Sequence, residues 1–362
     1  MIERDKKFNI LVINPGSTST KVSVYANEEV VAEKNLMHCA EELHQYTHVN
    51  DQLSFRKEAI RQFLRETPVS SGDLHCIVGR GGLLKPLPGG TYLIDEGMCE
   101  ELRKPKKEHA SNLGALLAKE IADELGIKAF IVDPVVVDEM QPLARISGLA
   151  GVERICIFHA LNQKATARKA AQKLGKPYEE CRFIVAHLGG GISVGAHWQG
   201  EIIDVNNCLD GEGPFSPERS GGIPTGSLIN ICFHSGLSEK QVYKALIGQG
   251  GLVSYLGTND ARAVEKMIQA GDSNAALIYE AMAYQVAKEI GSCAVVLEGK
   301  VDAILLTGGL AHSKMLVDWI IRRVKFIAQV LVFPGEGEMD ALAAGALRIL
   351  KNEEEYKRYS KL

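Results

Sequence analysis

No stretch of the 362 residues approaches the run of about 20 apolar residues that a membrane-spanning helix needs. The opening MIERDKKFNILVIN carries charge but no apolar segment long enough for a signal sequence, so no leader is expected. The eight cysteines (Cys39, Cys76, Cys99, Cys156, Cys181, Cys208, Cys232, Cys293) include no Cys-x-x-Cys pair, which removes the usual paired spacing of metal and dithiol sites. Most lie in apolar stretches and are expected to be buried free thiols, which suits a reducing cytoplasm. Surplus positive charge is missing as well. The 41 Lys and Arg against 45 Asp and Glu leave −4, which offers no electrostatic footprint for nucleic acid. No low-complexity linker interrupts the chain, so any two halves must be joined by structured segments. These absences lead to the expectation of a soluble cytoplasmic protein with neither membrane nor nucleic-acid partner.

What the chain does have is one sequence written twice. Residues 10–31 read ILVINPGSTSTKVSVYANEEVV and residues 183–204 read FIVAHLGGGISVGAHWQGEIID. Aligned without a gap, both run apolar strand, polar or ring side chain, glycine-bearing turn, alternating strand. Asn14 falls on His187, Gly16 on Gly189, Ser17 on Gly190 and Thr20 on Ser193. Self-similarity at one long offset indicates two equivalent units rather than a solenoid. The length is too great for one core and agrees with two domains. The expected division is 1–150, joined by the C-terminal helix from residue 338 to 362, and 151–337.

Around the repeats, strands and helices alternate. In the first half, residues 51–66 have apolar residues at helical spacing (Leu53, Ile60, Phe63, Leu64), and a short strand over 75–78 breaks at Gly79-Arg80-Gly81-Gly82. A helix is predicted over 111–125, closed by Gly126, and a strand over 129–132 before Asp133-Pro134. The second half predicts helix 275–297, strand 303–306 into Thr307-Gly308-Gly309, helix 314–328, strand 330–333 and helix 338–351. The charged tail NEEEYKRYSKL reads as a solvated end. The pattern belongs to α/β domains with largely parallel sheets.

Asn14-Pro15-Gly16-Ser17-Thr18-Ser19-Thr20-Lys21 lies between two strands. Glycine lets the backbone approach an anion, Ser17 and Ser19 can donate to phosphate oxygens, and Lys21 adds a point charge. A single Gly-Ser turn is more often an ordinary hairpin turn. Its duplication as Gly189-Gly190-Gly191, three glycines that are costly in a hairpin, favours a nucleotide phosphate site formed by the pair.

INPGSTSTK, the isolated Arg80, FHALNQ at 158–163, AHLGGGISVG and PERSGGIP together resemble the acetate and butyrate kinase family, within the superfamily of acetate and sugar kinases, Hsc70 and actin. The resemblance spans the chain with the motifs in the family's order. NPGSTSTK and DGEGPFSPERSG are closer to the butyrate kinases than to the acetate kinases. The resemblance implies two duplicated actin-like, ribonuclease H-like α/β domains, each a mixed sheet led by a glycine-turn hairpin and flanked by helices. It also implies ATP in the cleft between them, Mg²⁺ as cofactor and a homodimer or higher homo-oligomer.

The same resemblance assigns roles. Arg80 and Arg219 match the substrate and transition-state arginines, a task for which a planar fork gripping carboxylate and phosphate oxygens is suited. His159 and His187 match residues lining the phosphoryl site, while His109 and Phe158 lie nearer the substrate. Asp133 and Glu338 match an Asp and a Glu that position Mg²⁺, with Glu336 competing for the latter role. Gly308-Gly309 and Asp260-Ala261-Arg262 match nucleotide contacts, although His312-Ser313 stands where acetate kinases carry Glu-Asn. Gly81 and Gly82 stand where acetate kinases have two valines, and the loss of side chain at Gly82 is expected to enlarge the acyl pocket toward butyrate. Isobutyrate, acetate or propionate are alternative acids. An actin- or Hsp70-like ATP-driven switch is the alternative from another class, which trapping of an acyl phosphate by hydroxylamine would separate.

Overall fold

Ile10, Leu11, Val12 and Ile13 are all fully buried, as are Ile184, Val185 and Ala186, so the first strand of each repeat is covered on both faces. The computed structural model describes residues 6–105, 108–209 and 211–361. Strands β1 (Asn9–Pro15), β2 (Ser19–Ala26), β3 (Glu29–Met37), β4 (Leu74–Gly79), β5 (Thr91–Leu93) and β6 (Lys128–Val132) precede β7 (Arg182–Leu188), β8 (Ile192–Trp198), β9 (Glu201–Val205), β10 (Ala303–Gly308), β11 (Val330–Pro334) and the short β12 (Lys357–Arg358). One sheet has the order β12-β5-β6-β4-β1-β2-β3 and the other β11-β10-β7-β8-β9. The run β6-β4-β1-β2-β3 repeats as β11-β10-β7-β8-β9, with the same parallel and antiparallel neighbours. The duplication seen in 22 residues of sequence therefore extends over five strands.

The gapless alignment fails inside the turn. Pro15 pairs with Thr20 across residues 16–19, whereas Leu188 pairs with Ile192 across residues 189–191. The first loop is one residue longer, and a one-residue slip moves a side chain to the other face. Thr20 faces Arg56 on the Leu53–Glu66 helix, while Ser193 meets Gln163 on the Ala160–Leu174 helix. Across the strand pair, the counterpart of Ser193 is thus Lys21, not Thr20.

The chain divides into a unit of residues up to Val137 and from Gly337 onward, and a unit of Asp138–Glu336. The first boundary falls ahead of the expected 150/151. Segment 138–150 is tied to the second unit by Gln141 N donating to Ile203 O (3.0 Å) and by the buried Lys164–Glu139 ion pair (2.8 Å). The tail is not a solvated end. β12 adds to β5, Tyr359 is buried with its hydroxyl on Glu101 (2.5 Å), and Lys357 Nζ donates to Gly89 O (2.6 Å). Cys76, Cys99, Cys156, Cys181, Cys208 and Cys293 are buried free thiols, whereas Cys39 and Cys232 are exposed. No helix among the described residues is long and apolar enough to cross a membrane.

Candidate active site

In the first unit, the end of β1 and the start of the Glu338–Leu350 helix meet through one carboxylate. Asn14 Nδ2 donates to Glu338 Oε2 (2.8 Å), and Arg80 Nη1 pairs with Glu338 Oε1. Glu338 occupies the first turn of its helix, where backbone N–H groups and the dipole favour negative charge. Glu336, the competing residue, lies in the other unit, where its backbone carbonyl accepts from Asn162 Nδ2 (2.5 Å). Arg80 is placed by close backbone approach. Its N–H donates to Ile13 O (2.8 Å), and a Cβ on Gly79 or Gly114 would collide with the facing backbone of Gly114 or Arg80.

The glycines after Arg80 serve the same packing, which overturns the expected pocket. A Cβ on Gly82 would lie 2.7 Å from Asn112 Cα and 2.8 Å from Leu102 Cδ2, and one on Gly81 would collide with Pro134. The missing side chain at Gly82 is occupied by the Asn112–Leu125 helix rather than left open for methylenes. His109 is exposed and works locally, its Nδ1 lying 2.7 Å from Ser111 Oγ just ahead of that helix. Asp133 is buried in the left-handed region (φ 37°), and its Oδ1 accepts from Gly90 N (2.7 Å). Lys21 lies on β2 and pairs with Glu33 of β3 (3.1 Å) instead of reaching into the turn. Gly16 and Ser19 close the turn through Gly16 N donating to Ser19 O (2.8 Å), with Ser17 exposed.

The second unit gathers more chemistry at its turn. His187, buried at the end of β7, has Nδ1 2.8 Å from Asn162 Oδ1. The Asn162 amide nitrogen is taken by Glu336 O, so its oxygen faces the ring and His187 carries its proton on Nδ1. Nε2 then points at the glycine turn, 3.0 Å from where a Cβ on Gly189 would sit. His159 stacks on His187 with ring centroids 3.8 Å apart and 15° between planes, and its Nδ1 lies 2.9 Å from Ser193 Oγ. Arg219 lies directly against Gly191. A Cβ there would stand 2.7 Å from Cζ, so only glycine admits the guanidinium. Arg219 Nη1 donates to Cys208 O (2.6 Å), while its buried Nε has no partner among the described residues. Ser216 Oγ donates to Gly190 O (2.5 Å) and ties the arginine loop to the turn. Phe158 is fully buried beneath His159 in sequence, a core position rather than an open contact surface. Asp210, which opens DGEGPFSPERSG, lies outside the described residues.

The expected adenosine contacts stand apart from these clusters in character. Asp260 caps the Ala261–Gln269 helix by accepting from Arg262 N (3.0 Å), and its carboxylate pairs with Arg262 Nε (3.1 Å) in an exposed, local arrangement. Ala261 is buried. Gly308 (φ 89°) ends β10 where a Cβ would strike Leu188 of β7, whereas Gly309 faces open space. Ser313 caps the next helix and joins Glu265 and Tyr279 in one network, Tyr279 Oη donating to Glu265 (3.2 Å).

A sequence profile of the acetokinase family matches residues 148–331, which hold His159, His187 and Arg219. The chain belongs to the acetokinase family. Membership makes it an ATP-binding carboxylate kinase. The fold agrees. Porphyromonas gingivalis acetate kinase aligns at TM-score 0.79 with 20% identity, over 95% of this chain and 100% of that one. A propionate kinase from Francisella tularensis subsp. tularensis SCHU S4 aligns at 0.73 with 20% identity, over 93% and 98%. A ROK family protein from Streptococcus pneumoniae TIGR4 aligns at 0.52 with 10% identity, over 96% and 100%, so the architecture is the actin-like ATPase fold.

Several residues that hold these clusters carry no motif of their own. Arg56 is fully buried on the apolar stripe of its helix, between Leu53 and Ile60, and a charge at that spacing was the available signal. Asn162 and Gln163 sit inside FHALNQ, yet nothing local says that they hold His187 and Ser193. His38 is buried with Nε2 2.9 Å from Thr20 Oγ1, and burial together with the Arg56 charge lowers its pKa to about 4. Cys208 contributes its carbonyl to Arg219, a contact with no sequence signature.

Proposed function

We propose that the chain transfers the γ-phosphoryl group of ATP reversibly to a short-chain carboxylate, giving ADP and the acyl phosphate. The observation that carries this reading is Arg219 laid on Gly191 beside the stacked His159 and His187, a cationic fork and two rings around one glycine turn. A carboxylate nucleophile has no proton to lose, so the histidines act by orienting and hydrogen bonding rather than by proton abstraction. The chemistry asks mainly for two anions to be aligned and their charge offset. Arg219 supplies that charge in the second unit and Arg80 in the first, each fixed by backbone contacts that only glycine allows.

ATP enters as its Mg²⁺ complex. Among the described residues no group of three or more His, Cys, Asp or Glu could hold a metal on its own. Mg²⁺ usually takes one or two carboxylates together with phosphates, so Glu338 in the Asn14–Arg80 set fits an ion delivered on the nucleotide. Asp133, tied to Gly90, is assigned to holding its loop.

Among acids we propose butyrate, on the closeness of NPGSTSTK and DGEGPFSPERSG to the butyrate kinases; Gly82 does not support it. A panel of acetate, propionate, butyrate, isobutyrate and isovalerate with hydroxylamine trapping tests both levels. A higher kcat/KM for acetate sinks butyrate, and no hydroxamate with any acid sinks the carboxylate kinase. We also propose a homodimer, because the Thr225–His234 helix buries none of its side chains while Ile229 and Phe233 stand exposed. A monomeric mass by light scattering would remove that reading.

A further inference from the structure

Arg56 is a fully buried cation that faces no anion. Nη1 donates to Gly16 O (2.9 Å), Ser19 O (2.9 Å) and Thr20 Oγ1 (3.0 Å), and Nη2 to Ser17 O (3.1 Å). Nε and Nη2 also donate to Gln52 Oε1, at 3.1 and 2.8 Å. All five oxygens are neutral, and among the described residues no carboxylate lies within ion-pair distance. Burial brings its pKa down to about 10, so it stays protonated at neutral pH. A buried charge without a counter-charge is costly, and mutual attraction with an anion would offset part of that cost.

The direction of the turn follows from those bonds. Every peptide among the described residues is trans, so the N–H of each residue points opposite to the preceding carbonyl. With the carbonyls of Gly16 and Ser17 drawn onto Arg56, the N–H groups of Ser17 and Thr18 point away from it, at exposed residues and with no partner among the described residues. Successive outward N–H groups form an anion-binding concavity. We infer that Arg56 is the positioning residue of the first phosphate turn: it pulls three carbonyls inward, presents the Ser17 and Thr18 N–H groups to a phosphate, and leaves its own charge behind them unneutralised until that phosphate binds. At the second turn Gln163, a neutral amide, holds Ser193, and Arg219 donates to Cys208 O rather than to a carbonyl of the turn.

This inference rests on the reading of residues 16–19 as a phosphate site, and its test is a comparison of ligands with and without phosphate. In the full-length chain, Arg56→Met should weaken MgATP binding by about tenfold or more, the scale of lost charge-assisted hydrogen bonds, while leaving the Kd of adenosine unchanged. Arg56→Lys, which keeps the charge but cannot span the carbonyls, should fall between the two. Isothermal titration of both ligands, with a thermal melt to confirm folding, reads this out. A purely structural arginine would shift both affinities together or neither, and that result overturns the inference. If neither variant folds, hydrogen exchange of the wild type decides: the peptide covering residues 16–20 must gain protection with MgATP and not with adenosine. Failure of the hydroxamate assay would sink the proposed reaction while leaving the ligand comparison intact, so the two failures are told apart.

Discussion

The two glycine turns share a frame and differ in where they keep their charge. In both, the last polar residue of the first strand meets the N-terminal part of a helix, Asn14 on Glu338 and His187 on Asn162. In both, an arginine packs on the turn. Arg56 is fully buried and gives its N–H groups to neutral oxygens, which makes it part of the scaffold. Arg219 is half-buried, uses Nη1 on Cys208 O and has, among the described residues, no partner for its buried Nε, so fewer bonds hold it in place. The same strand frame occurs twice, and the two copies differ in loop length and in how firmly their arginine is held.

The sharpest way to break this comparison is to remove Arg219. Arg219→Ala should lower kcat by about 10²–10³-fold, measured by hydroxamate formation, with little change in melting temperature, since one preorganised charge donor is worth that much. Gly191→Ala tests the seat of the same arginine. Its Cβ displaces the guanidinium, and kcat should fall by on the order of 10²-fold, the cost of misplacing a group by about 1 Å. Gly16→Ala at the matching turn meets only Ser19 atoms at 3.6 and 3.7 Å, so its melting temperature should stay near that of the wild type. Glu338→Gln removes the charge shared by Asn14 and Arg80, and kcat/KM for MgATP should drop about tenfold. Gly82→Val should cost about 1–3 kcal/mol in denaturant unfolding through overpacking against Asn112, without raising the preference for acetate over butyrate. A folded variant that switches toward acetate would restore the pocket reading.

The smallest effect concerns acid. His38 has its pKa drawn from 6.5 to about 4, by burial first and the Arg56 charge second, with Glu42 opposing. The unfolded chain therefore binds the proton first as pH falls, so the contribution of neutral His38 is complete above pH 6.5 and drains away toward about pH 4. His38→Gln should flatten the loss of melting temperature across that window. Any slope that remains belongs in part to His197 in the second unit, whose complete burial also lowers its pKa well below the ordinary value.

Much of this is legible in the sequence alone. Strand alternation, helical spacing and Gly126 as a helix end depend on neighbours within a few residues, and those elements form close to where they were expected. The errors have a common origin. Gly82 looked like vacant space because sequence shows the missing side chain but not Asn112 filling it. The tail looked solvated because its charges are visible while its pairing with β5 is not. Lys21 looked like a phosphate ligand because it follows a glycine- and serine-bearing turn, whereas the strand sets it against Glu33.

The sequence by itself determined two glycine-turn hairpins, the alternation of strands and helices, and the membership of a kinase family through motifs written in contiguous residues. Only the tertiary structure decided which groups meet: Asn14 with Glu338 across 324 residues, Arg56 with the carbonyls of the first turn, Arg219 with Gly191. It also decided that a one-residue difference in loop length puts Thr20 and Ser193 on opposite faces of matching strands. The physical reason is range. Backbone preference and periodicity act between near neighbours and can be read along the chain, while burial, charge compensation and steric exclusion act between surfaces that folding alone brings together.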